Sequence, residues 1–246
     1  MKPFLILQLR PETEASDDEF NAILQKSGLK PSDAVRIRLD QDDLPIGLNL
    51  DDFSGVIVGG GPGCISDPHE KKSPTEARIE TSVLSLMPQI TARDFPFLGC
   101  CYGIGILGYH LGSEISKTRY AEKVGASDCR LTSDGKSDKI CANMPDTFHA
   151  FVGHKEALQH LPEGCVHLVS SPTCLYQMIR FGDNVYATQF HPEADDAGFE
   201  TRIQIYKDQG YFPPEDAQNL IELCRSANVY APELILKNFV KTYTRV

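Results

Sequence analysis

The decapeptide GCCYGIGILG, residues 99–108, follows the apolar run Phe95-Pro96-Phe97-Leu98 and admits two readings. Gly103-Ile104-Gly105-Ile106-Leu107-Gly108 fits G-x-G-x-x-G, the turn that cradles a dinucleotide pyrophosphate. Gly99-Cys100-Cys101-Tyr102-Gly103 fits G-x-C-x-G, a sharp turn that exposes a nucleophile between a strand and a helix. The dinucleotide reading asks for an acidic residue about 20 positions on, at the end of a second strand. Asp128 lies near that distance but sits in the polar stretch Gly125-Ala126-Ser127-Asp128, and the motif follows a fourth strand rather than a first. A second glycine cluster, Gly59-Gly60-Gly61-Pro62-Gly63, lacks the G-K-[ST] ending of a nucleotide phosphate loop. The nucleophile reading is the stronger one.

Outward from the decapeptide, strands and helices alternate. Phe4 to Leu9, Val35 to Leu39, Val56 to Val58 and Phe95 to Cys100 read as strands. Ser16-Asp17-Asp18-Glu19 reads as a capping box opening a helix that ends at Gly28. Ser73-Pro74-Thr75-Glu76 opens another, with Ile79, Val83, Leu84 and Met87 at helical spacing. Tyr102 to Leu111 is the helix after the turn. This alternation predicts an α/β fold with a mostly parallel sheet covered on both faces. Past Gly112, strand candidates follow one another over 123–131, 148–152, 166–170, 176–181 and 185–190, so antiparallel strands should extend or flank the sheet. Ser133-Asp134-Gly135 and Gly182-Asp183-Asn184 read as turns between them. From about 197 to 246 the chain looks helical and closes what reads as a single domain over 1–246.

Composition narrows the function classes. The chain has 246 residues and a formal net charge of −10, which disfavours nucleic acid and anionic membranes as partners. No apolar run approaches the ~18 residues of a membrane span, and the N-terminus lacks signal-peptide features. Eight cysteines occur without regular spacing or a C-x-x-C pair, which points to reduced thiols in a cytoplasmic protein and to no metal site. Most should be small core residues.

The nucleophile needs a base, and Gln189-Phe190-His191-Pro192-Glu193 offers one at the end of the last strand candidate. In extended chain, residues two apart project to the same side. Glu193 can hold one imidazole nitrogen of His191 and leave the other to face a thiol. Gly99 and Gly103 flank Cys101 symmetrically, so Cys101 is the apex and Cys100 the last inward residue of the strand. The N-terminus of the following helix and a cationic His191 should favour the Cys101 thiolate.

These three motifs, Gly59 to Gly63, Pro96 to Gly103 and Gln189 to Glu193, occur in the order found in class I, triad-type glutamine amidotransferases, and the chain resembles that family over roughly residues 3 to 195. The resemblance implies a flavodoxin-like fold and hydrolysis of the glutamine side-chain amide through a glutamyl thioester. It implies Cys101 as nucleophile, His191 as general acid and base, and Glu193 as its orienter. The oxyanion donors would be the backbone N–H groups of Gly61 and Tyr102, with Gly60 beside the substrate. No cofactor is implied. Ammonia would pass to an unknown acceptor, and a separate synthetase is a possible partner, since no nucleotide motif follows Glu193.

One departure bears on substrate. Where the family has Gln four residues after the nucleophile, this chain has Gly105, which removes an amide and should open space beside the turn. Either another side chain supplies the contact or the substrate is a larger γ-glutamyl compound. The segment Gly153-His154-Lys155-Glu156 resembles the family's S-H-G-D loop, which makes Gly153, His154 and Lys155 candidate contacts for the substrate's α-carbon groups. A hydrolase of another γ-glutamyl amide and a non-catalytic regulatory relative remain as alternatives.

Overall fold

Strict alternation of side chains along Phe4-Leu5-Ile6-Leu7 sends Phe4 and Ile6 into one hydrophobic core and Leu5 and Leu7 into another. A strand buried on both faces needs helices on both sides, and the computed structural model, which describes residues 1–245, supplies them. The elements run β1 (Phe4–Gln8), α1 (Thr13–Ser27), β2 (Ala34–Arg38), β3 (Gly55–Val58), α2 (Pro74–Ala92), β4 (Phe97–Cys100), α3 (Tyr102–His110), β5 (Ile115–Ser116), β6 (Glu122–Leu131), α4 (Ser133–Ser137), β7 (Thr147–His154), β8 (Ala157–Leu158), β9 (Cys165–Ser170), β10 (Met178–Phe181), β11 (Val185–Thr188), α5 (Asp196–Tyr206), α6 (Ala217–Ser226) and α7 (Glu233–Tyr243).

Nine strands form one sheet in the order β2-β1-β3-β4-β11-β10-β9-β6-β7. β2, β1, β3, β4 and β11 pair in parallel, and β10, β9, β6 and β7 continue the sheet antiparallel. Ile23 and Leu24 of α1 pack with Ile235, Leu236 and Phe239 of α7 on one face. Ile79, Val83 and Met87 of α2 pack with Ile104 and Leu107 of α3 on the other. A third cluster, with Phe199, Ile203, Ile221 and Cys224, seats α5 and α6 against Phe151 of β7. No helix among the described residues is long and apolar enough to cross a membrane.

Two local expectations fail. Helix α1 begins at Thr13, not at a cap on Ser16, and Ser16 and Glu19 lie fully buried inside it. Their polar atoms serve distant partners: Ser16 Oγ accepts from Arg36 Nη2 (3.1 Å) and Glu19 Oε1 from Arg10 Nε (2.9 Å). The stretch at Ser133 is the short helix α4, capped by Thr132, whose Oγ1 accepts from Gly135 N at 3.0 Å. The capping box of α2 forms as read, with Ser73 and Glu76 exchanging hydrogen bonds.

Candidate active site

Three adjacent parallel strands, β3, β4 and β11, end on the same edge of the sheet, where open parallel sheets place their binding sites. β3 runs into Gly59–Gly63, β4 into Cys101, and β11 into Gln189–Glu193. Topology thus gathers three segments that are far apart in sequence.

Cys101 stands between β4 and α3 with φ 53° and ψ −90°, a backbone that a non-glycine residue adopts only under constraint. Its N–H donates to Thr188 O at 2.7 Å, which ties the turn to β11. Gly99 is required by close approach: a Cβ there would lie 2.9 Å from the Gly103 carbonyl carbon. Gly99 therefore lets the chain fold back on itself and leaves Cys101 at the apex. Cys100 points into the core and is fully buried.

His191 Nδ1 donates to Glu193 Oε1 at 2.8 Å, which leaves Nε2 of a neutral imidazole as an acceptor. Both side chains are buried, and His191 shares a cavity of about 40 Å³ with Cys101, Arg10, Arg202 and Tyr211. Arg202 Nη1 approaches Glu193 Oε1 at 2.9 Å, but none of its guanidinium nitrogens makes a well-aligned hydrogen bond. Burial works against ionising Glu193, yet the charges of His191 and Arg202 hold its carboxyl well below the usual carboxylate range. Burial lowers the pKa of His191 despite Glu193, and pushes the Cys101 thiol up to about 12, with Arg10 the strongest opposing charge. Burial thus favours the neutral forms of both the thiol and the imidazole. This runs against the expected thiolate–imidazolium pair, because desolvation opposes both charges.

The glycine loop is shaped by its neighbours. A Cβ on Gly60 would meet His191 Cε1 at 2.7 Å and Arg10 Nη2 at 2.8 Å, so only glycine admits the imidazole. The Gly60 N–H donates to Glu19 Oε1 at 3.0 Å, so that donor is engaged within the protein. No acceptor among the described residues takes the N–H of Gly61 or of Tyr102, and both residues border a second cavity, of about 20 Å³, with Cys101.

That second cavity is also lined by Gly105, Gly153, Lys155, Glu156 and Gln189. The open space expected beside Gly105 is absent. A Cβ there would lie 3.3 Å from both Glu156 Oε1 and Ile65 Cγ2. The Glu156 carboxylate occupies this place, accepting from Ile65 N (2.8 Å) and Ser66 N (2.9 Å). His154, expected to contact substrate, spends both ring nitrogens elsewhere, on Glu156 O (2.9 Å) and Glu122 Oε2 (2.8 Å). Glu122 also accepts from Ser127, Thr173 and Gln177. Against the cost of burial, His154 and the hydroxyls of Thr173 and Ser127 hold the Glu122 carboxyl below its ordinary range. Glu122, His154 and Cys174 bring potential metal ligands within 4.8 Å of one another, but hydrogen bonds already employ the first two, and the group braces the 153–156 loop.

Residues without a sequence motif complete the site. Arg10 is held by Glu19 and by the Tyr206 hydroxyl (3.3 Å). Tyr211 borders both inner cavities and an outer basin of about 480 Å³ lined by Gly61, Pro62, Glu76 and Lys155. Its hydroxyl donates to Pro62 O at 3.0 Å, and Lys155 Nζ sits 3.9 Å from its ring centre. Tyr211 thus separates the basin from the thiol. Tyr211→Ala removes one neutral hydrogen bond, worth about 1 kcal/mol, so a bulky thiol reagent should modify Cys101 about fivefold faster. Peptide mapping of the labelled protein over time checks this, and an unchanged rate would place the entrance elsewhere.

This geometry can be set beside known proteins. The family model "Glutamine amidotransferase class-I" matches residues 20–204. A glutamine-hydrolysing subunit of the GMP synthase from Picrophilus torridus is 27% identical over 178 residues, which is 72% of this chain and 79% of the relative. GMP synthase from Neisseria gonorrhoeae is 26% identical over 161 residues, 65% of this chain but only 28% of the relative's length. Among solved structures, a glutamine amidotransferase from Thermotoga maritima superposes with a TM-score of 0.76 at 20% identity, covering 99% of this chain and 98% of that one. One from Methylobacillus flagellatus gives 0.74 at 20% identity, covering 100% and 97%. With the matched model spanning the nucleophile turn and the His191 segment, and with a shared fold along its whole length, the chain belongs to the class-I glutamine amidotransferase family.

Proposed function

We propose that this protein hydrolyses the side-chain amide of glutamine with Cys101, His191 and Glu193 as a catalytic triad. The observation that carries the reading is the convergence of a strained, apical Cys101 and a Glu193-bound His191 on one cavity. Cys101 Sγ attacks the amide carbon as its proton passes to His191 Nε2, forming the S–C bond. The charge developing on the carbonyl oxygen falls to the unpartnered N–H groups of Gly61 and Tyr102, preset donors that need no reorganisation. The tetrahedral species collapses as His191 returns its proton to the leaving nitrogen, releasing ammonia and leaving a γ-glutamyl thioester. Water, deprotonated by His191, then attacks the thioester, glutamate departs, and Sγ regains its proton. Glu193 holds the imidazole in the required tautomer and offsets its positive charge during each transfer.

The packing of α7 on α1 in the main core supports one functional unit over the whole chain. Eight free thiols fit a cytoplasmic setting. The likeness to the Picrophilus GMP synthase subunit supports a separate synthetase as consumer of the ammonia. Incubation of the purified protein with glutamine, followed by measurement of ammonia and glutamate, tests the reading. Equimolar release of both products is expected. Turnover of a panel of γ-glutamyl amines without turnover of glutamine would contradict it.

A further inference from the structure

Glu156 is a buried carboxylate with no cation to balance it. Its residue is 8% exposed, and no lysine, arginine or histidine lies within ion-pairing distance among the described residues. Burying an uncompensated charge is costly, and such charges are ordinarily paired. The backbone N–H groups of Ile65 and Ser66 engage one lone pair on each oxygen and the Ser66 side chain adds to them, yet burial still pushes the Glu156 carboxyl above its ordinary range, as expected of a carboxylate that lacks a cation. The carboxylate lies in the cavity that contains the nucleophile, against Gly105. Gln189, which also lines this cavity and is only 3% exposed, has a side-chain Oε1 that receives no hydrogen bond. Lys155 lines the cavity's outer side, where it meets Tyr211 and the basin.

A vacant anion and a vacant neutral acceptor call for a ligand that is cationic and rich in N–H donors. A γ-glutamyl compound carries one such group, its α-ammonium, beside an α-carboxylate that suits Lys155. We infer that Glu156, assisted by Gln189, is the specificity-determining residue that binds the α-ammonium of the γ-glutamyl substrate. This rests on the reading that Cys101 attacks a γ-glutamyl amide and adds which feature of the substrate is recognised. It also accounts for Gly105. A long side chain at that position would collide with Glu156, so the glycine makes room for a charged group from another loop. The substrates are then γ-glutamyl amides with a free α-amino group; amides that lack it or carry it acylated are discriminated against.

The test compares glutamine with glutaramate, the same amide without the α-amino group, in the wild-type protein and in Glu156→Gln. Loss of a hydrogen bond to a charged group corresponds to roughly 10- to 100-fold. Wild-type kcat/KM for glutaramate should fall below that for glutamine by this factor, chiefly through KM. Glu156→Gln should lose activity on glutamine and little on glutaramate, closing the gap. The wild-type comparison needs no variant, so it stands even where Glu156→Gln loosens the Ile65–Ser66 loop. Equal turnover of the two amides by the wild-type protein would overturn the assignment and leave glutamine hydrolysis intact. A Glu156→Gln protein that slows on both amides alike would reduce Glu156 to a brace for the loop. Failure of the wild-type protein to turn over either amide would sink the catalytic reading itself, and this assignment with it.

Discussion

Cys101→Ser is expected to abolish glutamine turnover, by at least about 10⁴-fold in kcat, while the protein remains folded. Removing the attacking atom from a catalytic triad typically costs several orders of magnitude, because the other members cannot act without it. The oxygen is close in size to sulfur and occupies the same strained apex, so the packing of β4 and α3 is retained. The remaining cysteines do not compensate. Cys100 is fully buried in the core, and burial pushes the Cys64 thiol up to about 11. Cys100→Ser should keep most of the activity, since that side chain lies on the far side of the turn. Steady-state kinetics on both variants, with thermal unfolding to show that each is folded, check this pair. Loss of activity in Cys100→Ser with retention in Cys101→Ser would shift the register of the turn by one residue.

His191→Ala should lower kcat by about 10²- to 10⁴-fold, the usual contribution of general acid–base transfer. Glu193→Gln should cost less in kcat, because a neutral acceptor still holds Nδ1–H. It should cost more in stability. Glu193 is the only carboxylate within ion-pairing distance of Arg202 among the described residues, and breaking a buried pair typically costs about 3–5 kcal/mol. The two variants thus separate in opposite directions, in kinetics and in melting temperature. The pH profile adds a check of sign. Burial depresses the pKa of His191 from its ordinary 6.5, so the neutral base persists to lower pH and the acid limb of kcat/KM should lie below 6.5. Glu193 opposes that depression, so Glu193→Gln should move the limb to still lower pH. An acid limb above 6.5 in the wild-type protein would contradict the buried, neutral imidazole.

Much of this site is legible in the amino-acid order because its chemistry is bound to local geometry. A turn that forces a cysteine to a strained apex needs glycine where its two arms touch, and Gly99 meets that need, while a Cβ on Gly103 would meet only Val58 at 3.9 Å. The His191–Glu193 pair follows from the two-residue period of extended chain. Other parts are assembled only by tertiary packing. Ser16 and Glu19 have the spacing of a helix cap, yet both are turned inward to serve Arg36 and Arg10. Arg10, Arg202 and Tyr211 come from three separate segments with no motif among them. The protonation state of the thiol escapes a sequence reading for the same reason, since desolvation depends on how completely α5 and the Tyr211 segment cover the site. Glu156 falls within a segment the sequence marks out, but its approach to Gly105 depends on how the loop after β7 folds over α3.

Mass spectrometry of the protein quenched in acid during turnover of glutamine tests the central claim most directly. A covalent adduct of one glutamyl group is expected on the peptide containing Cys101, absent from Cys101→Ser and lost on treatment with hydroxylamine, which cleaves thioesters. Glutamine hydrolysis with no adduct at Cys101, or with the adduct on Cys64 or Cys100, would contradict it.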